Sequence, residues 1–280
     1  MSAGQEAIAP SVPLGGFGRR LLAITGVRAL GVYRVLRVAD PDGPEPAAGQ
    51  FAMLAAAERW GGGDGERPFL PRAFSIARFA DGEAHYLLED VGPGTNRLCE
   101  LEPGDELWVT GPLGRGFTHP EPGRRAILLG GGVGIAPLAI LQDQLAQAGL
   151  EADVLLGFRD GTRVPGGELL RGARLASDDG SAGHHGLVTD LLAEELERDP
   201  EAVVYACGPA GMLEGVRVLC ERAGVPAQLA LEAGMACGFG ACYGCVVPRR
   251  GGGYLRVCLD GPVIDAAELE HVDAHAGAPE

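Results

Sequence analysis

The sequence predicts an antiparallel β-barrel, then a central doubly wound parallel-sheet domain, then a small cysteine-bearing C-terminal unit: a β + α/β chain. Three observations carry this. The first 120 or so residues break into short strand-like runs separated by turn residues, the pattern of a small all-β unit. From residue 125 onward, continuous apolar runs alternate with helix-periodic stretches, as strands and helices do in a parallel sheet with both faces covered. Four of the seven cysteines fall between Cys237 and Cys258. The expected boundaries are 18–122, 123–231 and 232–280.

Taken in order, residues 31–39 (GVYRVLRVA) and 50–56 (QFAMLAA) read as strands. A loop rich in Gly and Pro covers 58–71. Strands follow at 72–79 (RAFSIARF) and 84–91 (AHYLLEDV), then a short helix at 96–101 and a strand at 105–110, stopped by Gly111-Pro112. Pro120 to Gly123 is the expected linker. Residues 125–129 (RAILL) form a continuous apolar run, as a strand buried on both faces does. A helix follows with Leu138, Leu141, Leu145 and Ala148 on one face. Then come a strand at 152–158, a helix at 187–198, a strand at 202–206, a helix at 210–223 and a strand at 227–231.

Glycine (46) and proline (20) in 280 residues approach a low-complexity composition. A hydrophobic fraction of 46% instead demands a folded core, so the glycines need local reasons. The formal net charge of −15 argues against nucleic acid, whose phosphates need a basic footprint, and against an anionic membrane surface. No apolar run reaches the roughly 18–20 residues of a bilayer span. Met1 to Pro13 lacks the features of a secretion signal and reads as a short disordered tail, so the expected location is cytoplasmic. An odd cysteine count without such a signal argues against a disulfide scaffold. Cys99 and Cys220 are expected to be packing residues.

Cys237-x4-Cys242-x2-Cys245, followed after twelve residues by Cys258, is the ligand spacing of a plant-type [2Fe–2S] cluster. Glycines between the ligands let the loop curl and aim its N–H groups at sulfur. Structural zinc is the competing reading, but zinc prefers paired Cys-x2-4-Cys knuckles. Gly130, Gly131, Gly132 and Gly134 lie between a buried strand and a helix. Such a turn admits a diphosphate to the helix N-terminus, or serves packing alone. Its spacing is not G-x-G-x-x-G. Cys207-Gly208-Pro209 ends another parallel strand, at the edge where such sheets bind ligands. Asp178 and Asp179 would favour ribose hydroxyls over a 2′-phosphate, or are solvated loop charge. Arg72 offers a fork to a phosphate, with Phe74 and Ser75 on the same strand. Gly92-Pro93-Gly94-Thr95 gives a second backbone approach.

The order of these motifs resembles the ferredoxin-reductase-like flavoproteins, and within them the electron-transfer subunits of class 1B dihydroorotate dehydrogenases. The resemblance runs from about residue 18 to 265. It implies an FAD-binding barrel, an NAD-binding sheet domain and a [2Fe–2S] domain. It implies FAD contacts at Arg72, Ala73, Phe74, Ser75, Leu87, Leu88, Glu89, Gly94 and Thr95. For NAD it implies Gly131, Gly132, Gly134, Cys207, Gly208 and Pro209, and for the cluster Cys237, Cys242, Cys245 and Cys258. Ser75 and Cys207 are the expected catalytic pair, flanking the hydride path. Ala73 departs from the proline usual in that family. The implied partner is an FMN-containing subunit that oxidises dihydroorotate for pyrimidine biosynthesis, in a heterotetramer of two of each. Similar chains also serve as NAD(P)H-linked subunits of sulfide dehydrogenases, hydrogenases or ferredoxin:NADP reductases.

Overall fold

The computed structural model describes residues 18–61 and 68–272. The N-terminal tail, the centre of the glycine-rich loop and the last eight residues lie outside the described residues. Six strands close the barrel: β1 (Arg19–Leu30), β2 (Tyr33–Ala39), β3 (Phe51–Ala56), β4 (Arg72–Ala80), β5 (Glu83–Glu89) and β6 (Glu106–Leu113). Their order is β1-β2-β5-β4-β3-β6, every pair antiparallel. Helix α1 (Pro93–Cys99) starts three residues earlier than the sequence suggests, because Pro93 opens it and Thr95 ties its first turn. Strand β1 is a correction. Its apolar residues are interrupted by arginines and a glycine, yet it pairs with both β2 and β6 and closes the barrel.

Strand β3 is buried along its whole length. Ala52, Leu54 and Ala56 face the barrel interior, while Phe51 and Met53 pack with Leu113, Val257 and Cys258 on the outside. The C-terminal segment thus covers the outer face of the barrel, which explains the unbroken apolar run at 50–56.

The second unit contains β7 (Arg125–Gly131), α2 (Ala136–Gln147), β8 (Ala152–Phe158), β9 (Ala173–Ser177), β10 (His184–His185), α3 (Val188–Arg198), β11 (Ala202–Cys207), α4 (Ala210–Ala223) and β12 (Ala227–Ala230). The sheet order is β10-β9-β8-β7-β11-β12-β15, where β15 is Val263–Asp265. Helix α2 packs with the barrel-side core, whereas α3 and α4 pack on the opposite face. The sheet is therefore doubly wound. Two details differ from expectation. Ala148 is an exposed C-cap residue, because Gly149 takes a left-handed φ of 72° and ends α2. The sheet also gains an antiparallel edge strand, β15, from the C-terminal segment.

Between β12 and β15 the chain forms the cysteine loop and a two-stranded ribbon, β13 (Val246–Pro248) and β14 (Tyr254–Arg256). Ion pairs lock the barrel to the sheet domain. Arg78 donates to Asp143 and to the carbonyl of Leu169, each at 2.8 Å, and Arg163 meets Glu89 at 2.8 Å. Cys99 is half-buried and Cys220 buried. Desolvation pushes their thiols up to about 11 and 12, consistent with inert packing residues. Among the described residues, no helix is long and apolar enough to cross a membrane.

Candidate functional site

The first cluster of candidate residues lies on the barrel. Arg72 pairs with Leu54 at the start of β4, and Ala73, Phe74 and Ser75 follow opposite Met53, Ala52 and Phe51. The Arg72 guanidinium donates to the carbonyl of Leu70 at 2.7 Å and lies 5.9 Å from the centre of the Trp60 ring. The first turn of α1 presses on its other side, where a Cβ on Gly94 would collide with the Arg72 side chain. Thr95 Oγ1 accepts from the amides of Val91 and Gly92, both at 2.9 Å, and fixes that turn. The result is a half-buried cation beside glycine backbone, which suits a phosphate. Trp60 was invisible as a site residue in the sequence, because a lone aromatic in a glycine-rich loop has no period. Its buried indole N–H has no hydrogen-bond partner among the described residues. Leu87 and Leu88 are barrel core, and Glu89 is the partly exposed end of that segment, paired with Arg163.

The second cluster joins two turns of the sheet. Parallel pairing sets Cys207 beside Gly130. A Cβ on Gly134 would stand 2.5 Å from the carbonyl carbon and oxygen of Cys207 and from the amide nitrogen of Gly208. A Cβ on Gly131 would stand 2.7 Å from the Met212 sulfur and 3.0 Å from Pro209. The glycines let the two turns interlock, and backbone amides from both stand at the carboxyl edge of the sheet. The barrel reaches this place as well: Tyr33 Oη would be 4.0 Å from a Cβ on Gly132, and it is buried with no hydrogen-bond partner among the described residues.

Cys207 is fully buried. Desolvation raises its thiol well above the ordinary range, and the negative charge of Glu232 raises it further. Glu232 is exposed, and desolvation by the surrounding protein raises its carboxyl above the usual carboxylate range. Sequence reasoning missed Glu232. The signal available was its position, two residues beyond β12 at the ligand-binding edge of the sheet. Asp178 and Asp179 follow β9 at the same edge. Asp179 is engaged locally, accepting from the Ser181 amide at 2.9 Å and hydroxyl at 2.5 Å.

The third cluster is the cysteine loop. Cys245 and Cys258 are buried, Cys237 is half-buried and Cys242 is exposed. Gly240 N–H points at Cys258 Sγ at 3.1 Å, Cys258 N–H at Cys245 Sγ at 3.4 Å, and Gly244 N–H at Cys242 Sγ at 3.5 Å. The thiols interact in two pairs. In the Cys237–Cys242 pair, burial opposes ionisation of Cys237, but the amides of Phe239, Ala241 and Cys242 and the Cys242 side chain outweigh it and bring the thiol down to about 6. In the Cys245–Cys258 pair, burial dominates and pushes Cys258 up. Among the described residues no three ligating side chains converge on one point. Four thiols on one loop, with amides aimed at three of the sulfurs, suit a binuclear cluster with two thiolates per metal, and the x4, x2 spacing is not that of paired zinc knuckles. The left-handed Gly238 (φ 78°) and Gly240 (φ 83°) make the curl, and Gly238 seats the loop on Met53 and Leu113 of the barrel.

Residues 232–270 match the family model of the iron–sulfur cluster binding domain of dihydroorotate dehydrogenase B. The chain is 39% identical over 232 residues to the dihydroorotate dehydrogenase B (NAD(+)) electron transfer subunit of Caldanaerobacter subterraneus subsp. tengcongensis, covering 81% of this chain and 88% of the relative. It is 41% identical over 213 residues to the same subunit from Bacillus caldolyticus, covering 72% and 80%. Among solved structures, one of an NADH-dependent reduced ferredoxin-NADP oxidoreductase, described for flavin-based electron bifurcation, superposes with a TM-score of 0.76 at 26% identity, covering 91% of each chain. With this identity sustained over most of both partners, the chain belongs to the family of dihydroorotate dehydrogenase B (NAD(+)) electron transfer subunits.

Proposed function

We propose that this chain carries electrons from a dihydroorotate-oxidising, FMN-containing partner to NAD+, by way of a [2Fe–2S] cluster and an FAD that it holds itself. One observation carries the reading: the loop that bears the four cysteines seats, through Gly238 against Met53 and Leu113, on the barrel that bears Arg72, in a segment that leaves the strand next to Cys207. When bound, the cluster moves electrons singly, the flavin exchanges single electrons for pairs, and the nicotinamide takes a hydride.

The chain's own residues bind and orient. Arg72, Gly94 and Thr95 would hold the flavin phosphates, with Ala73, Phe74, Ser75 and Glu89 along the ring and Leu87 and Leu88 supporting it from the core. Gly131, Gly132, Gly134 and the turn Cys207-Gly208-Pro209 would receive the nicotinamide dinucleotide. Burial and Glu232 hold Cys207 as a neutral thiol, so it adds no charge beside the nicotinamide that would take the hydride. Cys237 with Cys242, and Cys245 with Cys258, would each take one iron. We assign 18–122 to the flavin, 123–231 to the nicotinamide and 232–280 to the cluster, with β15 lent to the middle sheet. Exposed Cys242 lies beside exposed Tyr243, and Tyr254 is exposed on the same segment. Residues 232–264 are therefore the surface we assign to the partner, in a heterotetramer of two of each.

Co-expression with the FMN subunit tests this. Dihydroorotate-dependent NAD+ reduction is expected, along with a flavin band and a cluster shoulder in the visible spectrum. A colourless protein overturns the reading. A narrower test concerns Gly94→Ala. The atoms nearest the added methyl all belong to the Arg72 side chain and none to backbone, so the fold should survive. FAD affinity, measured by fluorescence titration, should fall by about tenfold or more, the value of one charge-assisted hydrogen bond.

A further inference from the structure

Arg256, at the end of β14, is not among the thiol ligands, yet its side chain lies against the loop that carries them. Its guanidinium carbon stands 5.1 Å from the centre of the Tyr243 ring, within cation–π range. Its Nη1 lies 3.4 Å from both the Gly240 carbonyl and the Tyr243 hydroxyl. Gly240 is the residue whose amide points at Cys258 Sγ. Tyr243 in turn has a φ of 59°, a left-handed conformation uncommon for an aromatic residue, and its side chain is 62% exposed beside Cys242. The contact with Arg256 gives that exposed ring a fixed partner. On the other side, Asp260 Oδ2 accepts from the Arg256 amide at 2.8 Å and lies 3.5 Å from its Nε. A cation and an anion are thus held in place around the ligand loop, each about one-quarter exposed.

We propose that Arg256 and Asp260 are an opposed pair of positioning residues that set the reduction potential at the cysteine site, with Tyr243 holding Arg256 over the loop. The inference rests on the [2Fe–2S] reading of the four cysteines. An electron delivered from a reduced flavin, or in a titration from dithionite, adds one negative charge behind the loop while no bond forms or breaks. A fixed cation favours that state and a fixed anion disfavours it, and such local charge is one of the levers on iron–sulfur potentials. A purely structural ion pair would hold the loop without giving its two members opposite effects.

The test is a potentiometric titration of the full-length, reconstituted chain, followed by the electron paramagnetic resonance signal of the reduced cluster. Arg256→Gln is expected to lower the equilibrium constant for reduction by about tenfold, about 59 mV for one electron. Arg256→Lys should restore most of the loss. Asp260→Asn keeps an oxygen to accept the Arg256 amide and removes the charge, and it should shift the midpoint the other way. Tyr243→Leu should give a smaller fall than Arg256→Gln. An unmoved midpoint in Arg256→Gln overturns the proposal, as does movement of the Arg256 and Asp260 variants in the same direction. A wild-type chain with no reduced-cluster signal defeats the [2Fe–2S] reading instead, so the two failures are distinct. If Arg256→Gln does not retain the cluster, Asp260→Asn and Arg256→Lys still decide the matter: the first must raise the midpoint and the second must leave it near wild type.

Discussion

Cys242→Ser is expected to reduce dihydroorotate-dependent NAD+ reduction by at least about a hundredfold while leaving FAD bound. Loss of an outer contact to a metal ligand alone typically costs about 10- to 100-fold, and loss of a ligand should cost more. Cys242 is exposed, so the substitution leaves the core intact. Its amide neighbours are already aimed at sulfur, and serine offers a harder oxygen that holds iron poorly in that place. The measurement is a visible spectrum with a coupled assay on the co-expressed complex. The flavin band should stay, the cluster shoulder should go, and NADH-driven reduction of an artificial acceptor at the flavin should persist. A variant that kept full dihydroorotate-linked turnover would remove Cys242 from the ligand set.

Gly134→Ala is expected to have the larger effect on the nicotinamide half-reaction and on stability. The new methyl would meet backbone atoms of Cys207 and Gly208 at 2.5 Å, and backbone cannot swing aside as Arg72 can for Gly94. The two turns must separate, which costs on the order of 1–3 kcal/mol as overpacking and lowers the melting temperature by a few degrees for each kcal/mol in a chain of this size. Both the glycine turn and the Cys207 turn then move from the ligand edge, so NADH oxidation should fall steeply, read as kcat/KM with an artificial acceptor. Gly211 is the control. A Cβ there meets nothing within 4 Å, and Gly211→Ala should leave stability and turnover near wild type. Equal behaviour of the two variants would mean that the interlock has no bearing on nicotinamide chemistry.

What could be read from the sequence follows the range over which each signal acts. The parallel strands 125–129, 152–158 and 202–206 were legible because burial on both faces forces continuous apolar runs. The cysteine spacing was legible because the ligands come from one loop. Strand β1 was not: arginines and a glycine interrupt its apolar residues, and although its second half pairs with the adjacent β2, its first half is placed by β6, about eighty to ninety residues away. Glu232 and Trp60 were missed for the same reason: their setting is made by other segments that fold around them. The pairing of β15 with β12 depends on a long return of the chain, which no local period records.

That return has a consequence for the order of assembly. Residues 231–262 form, in topological terms, the long loop of a hairpin whose two legs are β12 and β15. A tail would be cut loose when its metal is lost, whereas a loop stays tethered at both ends and its closure penalty grows only slowly with length. The sheet can therefore complete itself before any iron arrives. Cluster insertion becomes a late maturation step on a scaffold already shaped to receive it, and an iron-starved cell would accumulate a folded precursor rather than a denatured one.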